Sequence, residues 1–288
     1  MTKTTRNYGI DLLRILSMNM IVLMHILDGA NLLQGIPVLS MKYSVVWFLE
    51  IASLCSVNCY ALISGYVGYR KKFKPSALIQ LWGEVVFYLL FFGLLYKIIT
   101  PESVSGWQLI TSCIPVLSNK YWYFTSYAAM YMFTPFMNCL IDKLSFKKNT
   151  VLIFTLMAIF SLLPTLSTFK DLSQDAEAVK GGYSPIWLIV LFYIGAYVKK
   201  YNIAEKIRRG TSVWTFLLCV LLSLASKAAI NYHMELVKRP SSMEKILIRY
   251  NSVTILICGL ALFVLFAKMD IKSWAKKFIS FFASATFG

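Results

Sequence analysis

The sequence contains little charge, few acidic residues and almost no histidine. Only 15% of its 288 residues are charged, and Asp and Glu together number 13. Because soluble domains average about 25% charged residues, the chain lies outside the soluble norm. Its two histidines, His25 and His233, are too few for a histidine-rich zinc site, and we expect no metal. A glycine-rich phosphate-binding loop is also not evident.

The six cysteines point to packing rather than to chemistry. Most fall inside apolar stretches, where a free cysteine behaves as a small hydrophobic residue. Their spacing matches neither a disulfide framework nor a zinc site. They are Cys55, Cys59, Cys113, Cys139, Cys219 and Cys258.

Apolar residues make up 58% of the chain and recur in runs of membrane-spanning length. These runs predict an all-α polytopic transmembrane helical bundle that forms a single domain over 1–288. A ninth run begins near Phe278 and stops at Gly288, short of the roughly 20 residues that a span needs. We therefore expect eight spans, a truncated ninth and a chain that is incomplete at its C-terminus. The predicted spans are 8–28, 44–67, 77–99, 121–141, 150–168, 184–200, 212–231 and 251–268.

The formal net charge of +16 would suit a nucleic-acid-binding protein, but the distribution of the charges does not. Eighteen Lys and Arg residues fall in the N-terminal tail and the even-numbered loops, whereas nine lie on the opposite side. Because basic loops remain in the cytoplasm, the bias predicts a multi-pass cell-membrane protein with a cytoplasmic N-terminus and no nucleic-acid partner. The seventh loop, 232–250, is basic and external, and could meet an anionic acceptor or anionic lipid headgroups.

The first span carries four ionisable side chains, Asp11, Arg14, His25 and Asp28. An ionisable residue at the centre of a membrane helix costs roughly 2.5–3.5 kcal/mol on insertion scales, and such residues usually mark a function. Arg14 and His25 are about three helical turns apart, so both lie on one face, with about 16 Å between them along the axis. Asp11 precedes Arg14 by three residues and Asp28 follows His25 by three, so each pair can touch.

Two acidic residues on the next two spans are expected at the depths of His25 and Arg14. Span two runs inward, so Glu50 reaches the depth of His25. Glu84, early in span three, returns to the depth of Arg14 and could neutralise it. Each assignment has a structural alternative: His25 could be a packing residue, and Arg14 could extend to the cytoplasmic headgroups. The acidic residues could be helix-boundary residues or structural counter-charges.

This distribution of side chains suits a reaction that joins the two sides of the membrane. A neutral histidine oriented by a carboxylate can take the proton of an attacking hydroxyl or carry an acyl group as a nucleophile. A guanidinium binds phosphates well and so suits an anionic cytoplasmic donor. The predicted catalytic residues are His25, Asp28 and Glu50, and the predicted donor-binding residues are Arg14, Asp11 and Glu84.

An aromatic run, 121–123, opens the fourth span at the external surface. Tyr and Trp are enriched at membrane interfaces, so the run is typical of an interfacial belt. It would also serve as a stacking platform for a sugar. The two interpretations are compatible.

Arg14 and His25, with ten residues between them in the opening IDLLRILSMNMIVLMH, resemble the signature of the acyltransferase family 3 membrane proteins. The segment VNCYALISGYVGY, 57–69, resembles the family's second span, which ends in a Ser-Gly-Tyr turn. The segments WYFTSYAAMYMFTPFMN and LFYIGAYVKKY resemble the family more loosely. One pattern fails, because some members have Arg-x-x-Arg after the second span and this loop is lysine-rich.

The resemblance implies transfer of an acyl group, commonly acetyl from cytoplasmic acetyl-CoA, to a hydroxyl of a cell-surface glycan. It makes His25 the essential histidine and Arg14 its partner, and it implies ten core helices. The expected partners are therefore an acyl-CoA, an extracytoplasmic glycan acceptor and membrane lipid. The polar residues alone leave two alternatives: a transporter or flippase that exports a polysaccharide precursor, and a membrane-embedded sensor or assembly subunit without catalysis.

Overall fold

The computed structural model describes residues 6–100, 105–115, 121–168, 179–239, 241–284 and 286, and the regular structure within these residues is entirely helical. The all-α prediction is confirmed. Short 3₁₀ turns lie at Lys180–Gly182, Ile203–Lys206 and Ser242–Lys245. In chain order the α-helices are α1 Tyr8–Gly29, α2 Met41–Leu54, α3 Ser56–Gly68, α4 Pro75–Ile99, α5 Gly106–Ser112, α6 Trp122–Lys143, α7 Phe146–Met157, α8 Leu163–Ser167, α9 Pro185–Lys200, α10 Arg209–Val237, α11 Val253–Ala267 and α12 Ser273–Ser284.

Several segments have the length and composition of membrane spans, and the chain is an integral membrane protein. The helix α11, Val253–Ala267, is also apolar but is shorter than these segments. Helices occupy all eight of the predicted spans, and α12 contains the start of the ninth apolar run. The five segments long and apolar enough to cross a membrane are Tyr8–Gly29, Met41–Gly68, Pro75–Ile99, Phe146–Ser167 and Arg209–Val237.

The centre of the bundle is the contact between α3 and α9. The side chains of α3 are buried from Ser56 to Ile63, and nearly all of those of α9 are buried from Trp187 to Val198. A helix that is apolar on every side belongs inside a bundle. The buried amide of Asn58 in α3 is satisfied, because its Oδ1 accepts from Trp187 Nε1 at 3.0 Å and its Nδ2 donates to a main-chain carbonyl at 2.8 Å.

The first helix is tied to this core at its N-terminus. The Asn7 side chain caps α1 by accepting from the main-chain N–H of Ile10 at 3.1 Å, as short polar side chains do at helix starts. Its Nδ2 donates to the carbonyl of Ala267 at 2.6 Å, at the end of α11. The two bonds fix the depth at which the ionisable side chains of α1 meet their neighbours.

The second predicted span, 44–67, lies within one membrane-spanning segment, Met41–Gly68, which has a break at Cys55 between α2 and α3. One expectation for it needs correction. The residues of the Ser-Gly-Tyr motif, Ser64, Gly65 and Tyr66, lie inside α3 rather than in a turn. The helix continues until Gly68, and the chain then turns at Arg70, whose φ of 60° is left-handed.

Pro135 and Pro164 lie inside predicted spans, and other side chains donate hydrogen bonds to main-chain carbonyls in the turn before each of them. A proline leaves the carbonyl four residues earlier without its helical donor. Thr134 Oγ1 donates to the carbonyl of Tyr131 at 2.7 Å, which satisfies the carbonyl that Pro135 leaves without its donor. Pro164 follows a π-helical turn, Ala158–Leu162, and within that turn the Phe160 carbonyl accepts from Asn251 Nδ2 at 3.1 Å.

Candidate active site

A cleft of about 740 Å³ opens beside Arg14 between α1, α4, α6 and α12, and we call it the Arg14 cleft. Ligand-binding cavities in proteins typically measure about 300–1,000 Å³. The size therefore suits a small-molecule substrate. Its polar lining includes Arg14, Gln80, Glu84, Tyr88, Tyr127 and Tyr131.

Arg14 faces the cleft from the N-terminal half of α1, which is the cytoplasmic half in the orientation that the loop charges predict. Its Nε is enclosed and has no hydrogen-bond partner among the residues that the structure describes. An enclosed donor without a partner costs about 1–3 kcal/mol. The hydroxyl of Tyr60 donates to the main-chain oxygen of Arg14 at 3.1 Å, so α3 holds α1 at this depth. A guanidinium held in this way suits a phosphate or carboxylate ligand.

A row of tyrosines on α6 forms one wall beside Arg14. Tyr123, Tyr127 and Tyr131 follow one another at intervals of four residues, which places them along one face of the helix. The rings of Tyr123 and Tyr127 are 6.0 Å apart between centroids, and the Tyr131 hydroxyl accepts from the main-chain N–H of Lys74 at 3.3 Å. Sequence reasoning did not identify this row, although its spacing of four was a usable signal.

The loop that follows α3 brings further cations to the same region. Burial lowers the pKa of the Lys71 ammonium, and the positive charges of Arg14 and Lys74 lower it further. Like charges repel one another, so an anion placed between them would relieve that repulsion. The electrostatics where this loop meets the Arg14 cleft therefore favour an anionic ligand.

The two acidic residues predicted to lie near Arg14 occupy different positions, and neither forms an ion pair with Arg14 among the described residues. Glu84 lines the cleft with Arg14, but it accepts a hydrogen bond from Gln80 at 3.1 Å. Asp11 lies outside the cleft. Its carboxylate pairs with Arg6 at 2.6 Å, which corrects the expected contact with Arg14. Arg6 precedes α1. Asp11 lies in the first turn of α1, where an acidic side chain also interacts favourably with the helix dipole.

At the other end of α1, His25 and Asp28 are exposed, and Glu50 of α2 lies nearby. The carboxylates of Glu50 and Asp28 are within electrostatic range of each other, so the structure brings these two predicted residues together. Glu50 Oε2 is enclosed and has no hydrogen-bond partner within the described part of the chain. His25 likewise has no hydrogen bond to a described residue, and its ring remains accessible.

Within residues 6–100, 105–115, 121–168, 179–239, 241–284 and 286, no group of three or more His, Cys, Asp or Glu side chains could hold a metal ion. The cysteines are free thiols. Cys55, Cys59, Cys219 and Cys258 are buried, whereas Cys113 and Cys139 are exposed.

The fold and these side chains define a helical membrane protein with a cleft beside Arg14 in the N-terminal half of its first helix, and with an exposed histidine towards the other end of that helix. The family model of the acyltransferase domain, family 3, matches residues 7–288, and the chain belongs to this family. The protein is therefore an acyltransferase, as the opening motif predicts. No curated protein and no solved structure is similar enough to the chain to match it.

Proposed function

We propose that this acyltransferase takes an acyl group, acetyl in the simplest case, from a cytoplasmic acyl-CoA and transfers it to a hydroxyl of an extracytoplasmic glycan at the cell membrane. The observation that carries the proposal is the position of Arg14. Its Nε is enclosed at a cleft large enough for a small-molecule substrate, and it has no hydrogen-bond partner among the described residues.

The proposed donor site is the Arg14 cleft with the adjoining loop. A coenzyme A donor carries several phosphate charges, and Lys71 lies within electrostatic range of both Arg14 and Lys74. The guanidinium offers the fork of donors that phosphate oxygens accept. Glu84, on the same cleft, would orient the uncharged part of the donor. Asp11 would act on this site only through Arg6 and the start of α1.

The proposed acceptor site is the opposite end of α1. His25 lies about three helical turns from Arg14, about 16 Å along the axis, and a CoA donor has a long flexible arm that can cover such a distance. Glu50 and Asp28, whose carboxylates are within electrostatic range of each other, would orient the imidazole of His25 during the reaction. These three residues are the proposed catalytic group.

In the proposed reaction, the acceptor hydroxyl attacks the thioester carbonyl while His25 takes its proton. A carbon–oxygen bond forms, the carbon–sulfur bond breaks, and the proton passes to the departing thiolate. His25 could instead accept the acyl group on nitrogen and release it to the hydroxyl in a second step. Both routes consume one acyl-CoA and release one CoA thiol.

The test uses inside-out membrane vesicles that contain the full chain and its native envelope glycans. Acetyl-CoA with a labelled acetyl group is added outside, at the cytoplasmic face, and label is measured in the luminal glycan. We expect His25→Ala to abolish labelling without loss of membrane insertion. His233→Ala is the matched control, because His233 is exposed near the end of α10, and it should retain full labelling.

Full activity of His25→Ala would reject the catalytic assignment. Movement of glycan across the membrane without consumption of acetyl-CoA would reject the transfer and favour the transport alternative. If longer acyl-CoAs label the glycan and acetyl-CoA does not, the reaction class stands but the acetyl assignment is wrong.

A further inference from the structure

Three aromatic rings from distant parts of the chain converge on the extracytoplasmic side, and we call them the aromatic triad. Trp122 begins α6, Tyr183 precedes α9 and Tyr250 precedes α11. The ring centroids are 4.5 Å apart for Trp122 and Tyr183, 4.8 Å for Tyr183 and Tyr250, and 5.8 Å for Trp122 and Tyr250. All three distances fall within or at the edge of the range of favourable aromatic pairs.

The triad has a closed side and an open side. Tyr250 is only 9% exposed, whereas Tyr183 is 48% exposed. Trp122 lies between these extremes. The buried ring therefore supports the two others from below, and the ring of Tyr183 presents aromatic surface to whatever approaches from outside.

The backbone beneath the triad is held in place by close packing and hydrogen bonds. The main-chain oxygen of Tyr250 accepts from Asn58 Nδ2 at 2.8 Å, within the core. Gly182 has a φ of 96°, and a Cβ built there would lie 2.6 Å from Tyr250 Cβ. Only glycine fits this contact, which brings the turn carrying Tyr183 directly onto Tyr250. A site prepared in this way loses little conformational entropy on binding.

The triad also lies within electrostatic range of the proposed acceptor site. The Glu50 carboxylate is within electrostatic range of both Tyr250 and Asp28. Its Oε2 is enclosed without a hydrogen-bond partner among the described residues. The Glu50 side chain as a whole is only partly buried, so its other carboxylate oxygen can accept a hydrogen bond from a hydroxyl of a bound molecule. The site thus combines an aromatic surface with a polar acceptor.

We propose that the aromatic triad is a carbohydrate subsite on which a pyranose ring stacks against Tyr183, with a ring hydroxyl donating to Glu50. One face of a pyranose presents C–H bonds of weakly positive charge, which match the negative face of an aromatic ring. The sugar hydroxyls then remain free for directional hydrogen bonds. The proposal rests on the proposed function, in which the acceptor is a glycan, and it specifies where one sugar unit of that glycan binds.

A purely interfacial role would arrange these rings differently. Belt aromatics contact headgroups individually around the perimeter of a membrane protein. The triad instead packs ring against ring, from three segments, above a core amide. Tyr121, the neighbour of Trp122, is 46% exposed and lies outside the triad. Because its exposure is almost equal to that of Tyr183, Tyr121 provides a matched control.

The experiment measures binding, so that its result does not depend on catalysis. The full chain in lipid nanodiscs is titrated with a tetrasaccharide of N-acetylglucosamine and, separately, with a tetrasaccharide that contains uronic acid, and intrinsic tryptophan fluorescence is followed. We expect at least one of the two to bind. Tyr183→Ala should weaken that binding about tenfold or more, as loss of a ring-stacking contact implies. Tyr183→Phe should bind almost as the wild type does, and Tyr121→Ala should be unchanged.

Each alternative outcome has a defined meaning. Equal binding by Tyr183→Ala and the wild type, or binding of neither tetrasaccharide by the wild type, would overturn the subsite. Equal losses in Tyr121→Ala and Tyr183→Ala would indicate a general surface effect and would also overturn it. The vesicle assay with labelled acetyl-CoA decides the proposed function separately, because transfer to a glycan can occur without stacking on Tyr183.

Discussion

Gly65 of α3 and Gly195 of α9 bring the backbones of the two central helices into direct contact. A Cβ at Gly65 would lie 1.9 Å from the carbonyl oxygen of Phe192, and a Cβ at Gly195 would lie 2.1 Å from that of Leu62. Each glycine therefore faces the main chain of the other helix. Small residues at helix contacts allow this approach within membranes. The position of Gly65 also explains physically why a glycine stands in the Ser-Gly-Tyr motif.

We predict that Gly65→Ala severely destabilises the bundle. The obstacle is a carbonyl of a buried helix, which cannot rotate away as a side chain could, so α3 and α9 must separate. Overpacking of a core typically costs about 1–3 kcal/mol and sometimes more, and we expect at least the upper value. The measurement is thermal unfolding in detergent, with membrane yield as a second readout.

The matched control for Gly65 is Gly83→Ala in α4. A Cβ at Gly83 would meet nothing within 4 Å. Alanine inside a helix is favoured over glycine by roughly 0.5–1 kcal/mol, so this variant should be neutral or slightly more stable. A Gly65→Ala protein as stable as Gly83→Ala would contradict the contact.

We predict that Arg14→Ala weakens the use of the donor more than it alters the fold. Under the proposed function, the variant should raise the KM for acyl-CoA about tenfold or more, because it removes charge-assisted hydrogen bonds to phosphate. Arg14→Lys should recover part of the loss, since lysine keeps the charge but lacks the planar fork. Labelling kinetics in inside-out vesicles at varied acetyl-CoA supply the measurement.

The matched control for Arg14 is Arg208→Ala, which removes an equal charge from an exposed position just before α10. Its KM for the donor should stay at the wild-type value. Equal rises in KM for the two variants would indicate that general surface charge attracts the donor and that the Arg14 cleft does not bind it.

The sequence was sufficient to predict the helical class, because apolar runs of bilayer length have few other solutions. It also indicated the depth relation between Glu50 and the outer end of α1, which requires only the direction of successive spans. The electrostatic interaction of Glu50 with Asp28 agrees with that relation. Such features follow from spacing along one helix or from the order of the spans.

Other features depend on contacts between residues far apart in the chain, and the sequence does not reveal these. The aromatic triad joins Trp122, Tyr183 and Tyr250 across more than a hundred residues, with no periodic signal. The contact expected between Asp11 and Arg14 was wrong for a related reason, because two cations, Arg6 and Arg14, were within reach of the Asp11 carboxylate. Spacing along the helix favoured Arg14, whereas the chain before the helix brought Arg6 to the carboxylate.

We predict that Glu244→Gln destabilises the protein, because it leaves a buried ammonium without its counter-charge. Lys227 of α10 has a side chain only 1% exposed, and its ammonium pairs with Glu244 and lies 4.2 Å from the ring centroid of Trp47. Breaking a fully buried pair costs roughly 3–5 kcal/mol. Since the Glu244 side chain is 33% exposed, we expect a loss of about 2 kcal/mol in detergent unfolding.

The double variant Lys227→Met, Glu244→Gln separates this effect from simple loss of contacts. Methionine keeps the length and removes the charge, so the double variant should regain most of the stability that Glu244→Gln loses. Lys245→Met, at an exposed neighbour, should change little. A double variant less stable than Glu244→Gln alone would show that the ammonium is not the source of the penalty.

We predict a pH-dependent contribution to stability from Asp142, at the C-terminal end of α6 and beyond the predicted span 121–141. Its carboxylate accepts from the Tyr69 hydroxyl at 2.6 Å and lies 3.5 Å from Arg70 Nε and 3.7 Å from Lys200 Nζ. Burial on its own would raise the pKa of Asp142, but the Tyr69 and Arg70 hydrogen bonds and the two positive charges outweigh it and hold the pKa below the ordinary 3.8.

The sign of the effect follows from this lowered pKa. The unfolded state binds the proton more readily, so the contribution is complete above the ordinary value and is lost as the pH falls below it, through the folded-state pKa. Asp142→Asn should therefore unfold at a lower temperature than the wild type at pH 7, and the difference should shrink below pH 3.8. Asp270→Asn, at an exposed residue just after α11, should remain close to the wild type at both pH values. A difference for Asp142→Asn that stays constant over this range would mean that the carboxylate charge contributes nothing, and that only the shape of the side chain matters at the junction of α3, α6 and α9.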